Sequence, residues 1–476
     1  MAAIPEGGKG FPRLFSYLER ASFALFVITL AWAPFPLGSN RPWAWSLLCL
    51  LVALSWLFWL ISVWTTPLAI GRAAQGLVGP IMLGLAALSW GLLQVLPIVP
   101  SGWTHPVWQL AQGVLGRPIG ATISLDGWHS GTELMKLSTY AMAAWLARVY
   151  AQRSDRALRL LQALIAIGAC YAAYAIVMTS LGLPQFDVFY AGLPASHDLS
   201  GPFVNRNSYA TYAGLMALCA GVRLVGAGAS QVVTGRGART LVMSLTQYIF
   251  GRGVPYLAAA VLTLSTLIAT GSRAGNLATV AGLVSLLALA LASRRGQWYW
   301  TAAISAAVVA GLVVLFVVNG DLIASRFNDI SSVGTADDVR VMLWNAALRM
   351  IYHAPLLGQG LGTFIDAYPI YSDTMTRFVM DRAHNDFLEF AAGLGVPGAV
   401  LWWTSLGWLA VLCVRGAAIR RRNRSYPTLA VAATVLVAVH SAFDFSLQMP
   451  AISLTYAAIL GLGVAQAFPT RRGDDG

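Results

Sequence analysis

The stretch MDRAHNDFLEFAAGLGVPGAV, residues 380–400, passes within a few positions from a cluster of ionisable groups to a run apolar enough to enter a bilayer. Asp381, Arg382, His384, Asn385, Asp386 and Glu389 stand at its head, and no further charge follows until Arg415. This pattern is that of a membrane helix with polar groups gathered at its entry. It raises the question of what such groups do at the edge of hydrocarbon.

The rest of the chain repeats the apolar pattern. Of its 476 residues 57% are hydrophobic and 11% charged, against roughly 25% charged in a soluble domain. Runs of this length suffice to cross a hydrocarbon core of about 30 Å. The expected fold is therefore an all-α polytopic membrane protein of about 12 transmembrane helices. A β-barrel would show short alternating segments instead. The spans are expected at 22–38, 43–64, 77–97, 132–149, 158–181, 208–226, 254–270, 274–292, 298–318, 386–414, 428–445 and 451–468. Residues 22–38 read as a retained helix rather than a cleaved signal, on their prolines and on the span count.

With these spans, alternate connections separate by charge. One set holds most of the 31 basic residues, including Arg148, Arg153, Arg156 and the run RRRNRSYP at 420–427. The positive-inside rule makes that side cytoplasmic and puts both termini there. The net charge of +12 is thus a membrane-orientation signal, and no nucleic-acid partner is expected. The outward set holds most of the acidic residues and one long segment, 319–385. Cys49, Cys170, Cys219 and Cys413 all fall in expected spans without metal or redox spacing, and read as buried apolar side chains.

Three outward-facing stretches carry the polar chemistry. SGPFVNRNSYATYAG (200–214) places Arg206 between two asparagines just before a span, and ATGSRAGNLA (269–278) places Arg273 in a Gly-bounded turn between two apolar helices. Arginine near hydrocarbon is costly. Snorkelling to headgroups is the simpler reading; a pair of fixed guanidinium groups points instead to a diphosphate on a lipid carrier. The third stretch ends in DRAHNDFLE. His384 precedes an apolar helix, where the helix dipole disfavours imidazolium while Asp381, Asp386 and Glu389 favour it. It reads as a general base or as a capping side chain.

Within the outer loop, residues 337–355 read as an amphipathic helix with Val341, Trp344, Leu348 and Ile351 in one stripe and Pro355 as its stop. GQGLGTF (358–364) follows no strand, so a tight turn is expected rather than a nucleotide fingerprint. His440 and Asp444, four apart, read as a self-satisfied pair on one helix face or as cavity lining, with the first preferred. The six histidines show no ligand spacing, and no metal site is expected.

FVNRNSYATY, TGSRAG, VRVMLWNAALRMIYHAPLLGQGLGTF, AHNDFLEFAAGLGVPG and DFSLQMPA, in this order, resemble the O-antigen ligase and polymerase superfamily of bacterial envelope enzymes. The resemblance is best from about 201 to 463; the first half matches mainly in hydropathy. It implies a type C glycosyltransferase fold in the inner membrane with a periplasmic site, and no cofactor or metal. It divides the chain into N-terminal helices, 1–200, and a catalytic region, 201–470, that includes a partly helical periplasmic loop. By resemblance His384 is catalytic and Arg206 and Arg273 bind the diphosphate. Arg340, Arg382, Asp386 and Glu389 become candidates for acceptor contacts or for support behind them. The implied partners are a glycan on undecaprenyl diphosphate, an acceptor such as lipid A core, and membrane lipids. The motifs do not separate a ligase from a polymerase; the His-bearing loop before a span favours a ligase. A transporter of lipid-linked glycans is the competing class. It fits less well, because the charged candidates lie at the outer ends of helices.

Overall fold

The computed structural model describes residues 11–64, 71, 74–183, 199–232, 251–292, 336–372, 379–420 and 422–468. The expected ninth span, the first part of the outer loop and much of the basic connector between 223 and 252 lie outside the described residues.

Among the described residues the fold is helical, with no strand. The helices are α1 (Phe11–Trp32), α2 (Pro42–Ser62), α3 (Val78–Val95), α4 (Val107–Leu115), α5 (Gly127–Tyr150), α6 (Ser154–Ser180) and α7 (Arg206–Val232). They continue as α8 (Val254–Ala269), α9 (Arg273–Ala292), α10 (Ala336–His353), α11 (Phe364–Tyr371), α12 (Asp386–Ile419), α13 (Ser425–Ser441) and α14 (Pro450–Ala465). Seven are long and apolar enough to cross a membrane: α1, α2, α3, α6, α7, α9 and α12. Three shorter apolar helices, α8, α13 and α14, and the more polar α5 stand at the other expected spans. The chain is a multi-pass membrane protein.

The centre of the bundle is α14. It is apolar all round, and all its residues are buried, as expected of a helix surrounded by others. It packs on α5 and α13. Against α5 the backbones meet at Gly461, where a Cβ would overlap the Ala144 carbonyl. One face of the bundle is less regular. There α12 breaks at Gly395, whose φ of 72° is outside the helical range, with Pro397 just after it. A broken helix at membrane depth needs other donors for its freed carbonyls. The 358–364 turn supplies them: Gln359 N donates to Ala392 O (2.8 Å) and Gly360 N to Gly393 O (3.0 Å). Side chains of α3 complete the set, with Gln94 Nε2 on Gly393 O (2.9 Å) and Trp90 Nε1 on Leu394 O (2.7 Å). The expected tight turn is therefore a plug for the break. At Gly358, φ 72°, a Cβ would overlap the Gly393 carbonyl.

The helix expected in the outer loop is present as α10, but its buried face is rotated from the expected one. Leu343, Ala346, Ala347 and Met350 are buried against Phe364, Tyr368, Ala383 and Ala392. Val341 and Leu348 are exposed. The two alanines admit a closer approach than the larger side chains of the expected stripe. Cys49, Cys219 and Cys413 are buried as expected, whereas Cys170 is exposed on α6.

Candidate active site

Four separate segments meet at one end of the bundle: the start of α7, the α8–α9 turn, the segment leading into α12 and the end of α13. Local chemistry fixes each. Asn205 accepts from Ser208 N (2.8 Å) and starts α7. In the α8–α9 turn, Ser272 Oγ accepts from Gly275 N (3.1 Å) and opens α9. Asn385 is the N-cap of α12: its Oδ1 accepts from Leu388 N (3.0 Å), and its Nδ2 donates to Ala442 O just past α13 (3.0 Å). These caps satisfy orphan amides that would otherwise face a low-dielectric region.

His384 sits immediately before that cap with φ 51°, a left-handed conformation sparsely occupied outside glycine. Both flanks hold it there. Ala383 N donates to Glu389 Oε2 (2.7 Å), and Trp344 Nε1 of α10 reaches the His384 carbonyl (3.4 Å). The imidazole stands edge-on to Phe445, with ring centroids 4.9 Å apart. Its Nδ1 lies 3.0 Å from Asp444 Oδ1. A carboxylate only accepts, so this contact assigns the proton to Nδ1 and leaves Nε2 as the basic nitrogen. The His384 side chain is 32% exposed and that of Asp444 3%, so the histidine is reachable while its partner is sealed behind it.

Asp444 is the hub. Its Oδ1 also accepts from Phe445 N (2.8 Å), and its Oδ2 accepts from Asn207 Nδ2 (2.6 Å). Asn207 Oδ1 in turn accepts from Ser272 Oγ (2.8 Å). Asp444 lies beyond the end of α13. Burial alone would raise its pKa, but the His384 hydrogen bond, the nearby imidazoles and the Phe445 amide outweigh burial and hold it below the ordinary carboxylate range. One network thus joins the residue after Arg206, the residue before Arg273 and His384. Both arginines are exposed, and Arg206 Nη1 lies 3.9 Å from where a Cβ on Gly271 would stand, beside the turn that carries Arg273.

The expected His440–Asp444 pair does not form through its side chains. Helix α13 ends at Ser441, and beyond it Asp444 swings to His384, while His440 Nδ1 bonds Ser446 Oγ (2.5 Å). The acids near His384 in sequence are likewise not its partners. Asp386 is buried and accepts from Ser441 Oγ (2.6 Å), Leu447 N (3.0 Å) and Gln448 Nε2 (3.2 Å). Glu389 pairs with Arg382 (3.1 Å), which also meets Glu133 (3.6 Å) and Gln448. Burial would ease deprotonation of Arg382, but Glu389 and Glu133 outweigh it and hold the guanidinium charged. Arg382, Asp386 and Glu389 therefore brace the His384 segment from behind. Arg340 of α10 lies close enough to His440 to act on it electrostatically.

Sequence alone marks neither Asn207 nor Ser272, and it favours a self-satisfied pair with His440 over cavity lining for Asp444, which the structure instead places on His384. Asn207 and Ser272 adjoin the two arginines, which is the signal that could have marked them. Spacing also hid a cluster of Asp126, His129 and Asp366, whose ligand atoms lie within 4.8 Å of one another. It is accounted for by the α5 cap, where Asp126 accepts from Trp128 N and His129 N, and by the His129–Asp366 hydrogen bond of 2.7 Å.

Residues 258–403 match a family model described as O-antigen ligase. The matched domain, less than half of the chain, is similar to the O-antigen ligase family. The domain includes Arg273, Ser272 and His384, while Arg206, Asn207 and Asp444 lie outside the matched segment and are brought to it by the fold. No curated protein matches the chain. An O-antigen ligase domain in a multi-pass helical protein supports a membrane glycosyltransferase of the ligase or polymerase type.

Proposed function

We propose that the protein transfers a glycan from undecaprenyl diphosphate to an acceptor hydroxyl, as an O-antigen ligase, with His384 as the base. The observation that carries this reading is the His384–Asp444 contact at the edge of the arginine-bearing turns. In the proposed reaction the acceptor oxygen attacks the anomeric carbon as the bond from that carbon to the diphosphate oxygen breaks. The leaving group keeps the electron pair, and Arg206 and Arg273 stabilise its developing charge. The hydroxyl proton passes to His384 Nε2, while Asp444 fixes the tautomer and balances the imidazolium that forms. A single in-line displacement inverts the anomeric configuration.

The catalytic region in this reading is 201–470, in the inner membrane, with termini cytoplasmic and His384 periplasmic. The test is a gel of envelope glycans from a strain lacking the gene, complemented with the wild type or with His384→Ala. A ligase gives lipid A core without O-chain in the variant. Core capped by a single repeat unit would assign the protein to polymerisation instead. Unchanged lipopolysaccharide with missing secreted polysaccharide would move it to an exopolysaccharide pathway.

A further inference from the structure

A second feature lies on helices that carry none of Arg206, Arg273 or Asp444. A cleft of about 500 Å³ opens between α2, α3, α5, α12 and α14, walled by side chains such as Ile81, Leu88, Leu137, Trp402, Leu406 and Leu460. Its serine hydroxyls are used internally: Ser405 Oγ donates to Pro80 O (2.8 Å) and Ser453 Oγ to Leu447 O (2.5 Å). Leu85, on its α3 wall, is exposed, so the cleft meets the surface that faces lipid.

Four buried polar atoms of the lining have no hydrogen-bond partner among the described residues: Trp56 Nε1, Tyr140 Oη, Trp145 Nε1 and Arg148 Nε. Indole and guanidinium groups only donate. Arg148 is 6% exposed, and its described contact is the Phe468 ring, 5.5 Å away. Trp145 and Arg148, three apart, share a face of α5. An unpaired buried cation is unfavourable unless an anion meets it. From Leu137 to Arg148 the cleft follows α5 for about 16 Å at 1.5 Å per residue, roughly half of a 30 Å hydrocarbon core. Arg148 is in the last turn of α5. The first turn holds His129, bonded to Asp366 on the loop side, so Arg148 lies at the end remote from His384.

We propose that this cleft is a binding site for an anionic diacyl phospholipid of the leaflet remote from His384. The phosphate sits on Arg148, the Trp145 and Trp56 indoles donate to headgroup or ester oxygens, and the acyl chains fill the apolar cleft. A donor lipid would place its diphosphate at the other end, at Arg206 and Arg273. The bound phospholipid wedges α3 and α12 against α5 and α14.

The test uses the full-length protein, stripped in detergent and given phosphatidylglycerol, with bound lipid counted by native mass spectrometry. The wild type retains one phosphatidylglycerol. Arg148→Gln lowers its affinity by about tenfold or more, the worth of a hydrogen bond between charged groups. A photoactivatable phosphatidylglycerol on the wild type, which does not depend on any variant folding, labels the α3 and α5 peptides containing Leu85 and Leu137. Equal retention by Arg148→Gln, labelling confined to peptides around Arg206 and Arg273, or displacement of phosphatidylglycerol from the cleft by undecaprenyl phosphate would each overturn the assignment.

Discussion

At the scale of single residues the account rests on a histidine whose chemistry is set by an aspartate 60 residues away in sequence. Asp444→Asn keeps the shape of the side chain but removes the charge that selects the Nδ1–H tautomer. The expected effect is a fall in kcat of roughly 10² to 10⁴, the range of general-base and tautomer losses, with little change in KM for the donor. Steady-state transfer kinetics on both proteins check this. The depressed pKa of Asp444 carries a second expectation. Its carboxylate contributes stability above the ordinary carboxylate range, and that contribution is lost as pH falls through its lower folded value. Thermal melts of the wild type should therefore drop more steeply on acidification below about pH 4 than those of Asp444→Asn, while the variant is the less stable protein near neutrality.

At the scale of elements, the joint between the 358–364 turn and the break in α12 positions the helix whose N-terminus carries His384. Gly358→Ala places a side chain in a left-handed conformation and against the Gly393 carbonyl. Its expected cost exceeds about 1 kcal/mol, read as a lower melting temperature in detergent with His384-dependent activity reduced in parallel. The two glycine-rich motifs were visible in the sequence, one as a turn and one inside a span. Their union was not, because it depends on carbonyls freed by a break that hydropathy does not register. The rotated face of α10 has a similar origin. Hydropathy ranks Val341 and Leu348 above Ala346 and Ala347, while close packing favours the alanines.

At the scale of the whole molecule, apolar run length and loop charge made the helical membrane architecture legible from sequence, with spans matching helices wherever residues are described. Arg206, Arg273 and His384 stood out because polar groups at the edge of hydrocarbon need a reason. The partner that joins them did not. Asn207 and Asp444 are 237 residues apart, and no local pattern encodes their meeting. The proposed topology gives its own test. Single cysteines placed at Asp381 and at Arg422, in a protein freed of its four native cysteines, should be labelled by an impermeant maleimide from opposite faces of intact cells, Asp381 from outside.

The central claim is that His384 accepts the acceptor proton while the arginine turns hold the diphosphate. It is tested most directly by reconstituting the purified protein with a lipid-diphosphate-linked glycan and an acceptor, and following release of undecaprenyl diphosphate together with glycosylated acceptor. The account predicts both products with the wild type. It predicts neither above background with His384→Ala, although that variant still binds the donor. Wild-type rates of both products from His384→Ala would contradict it.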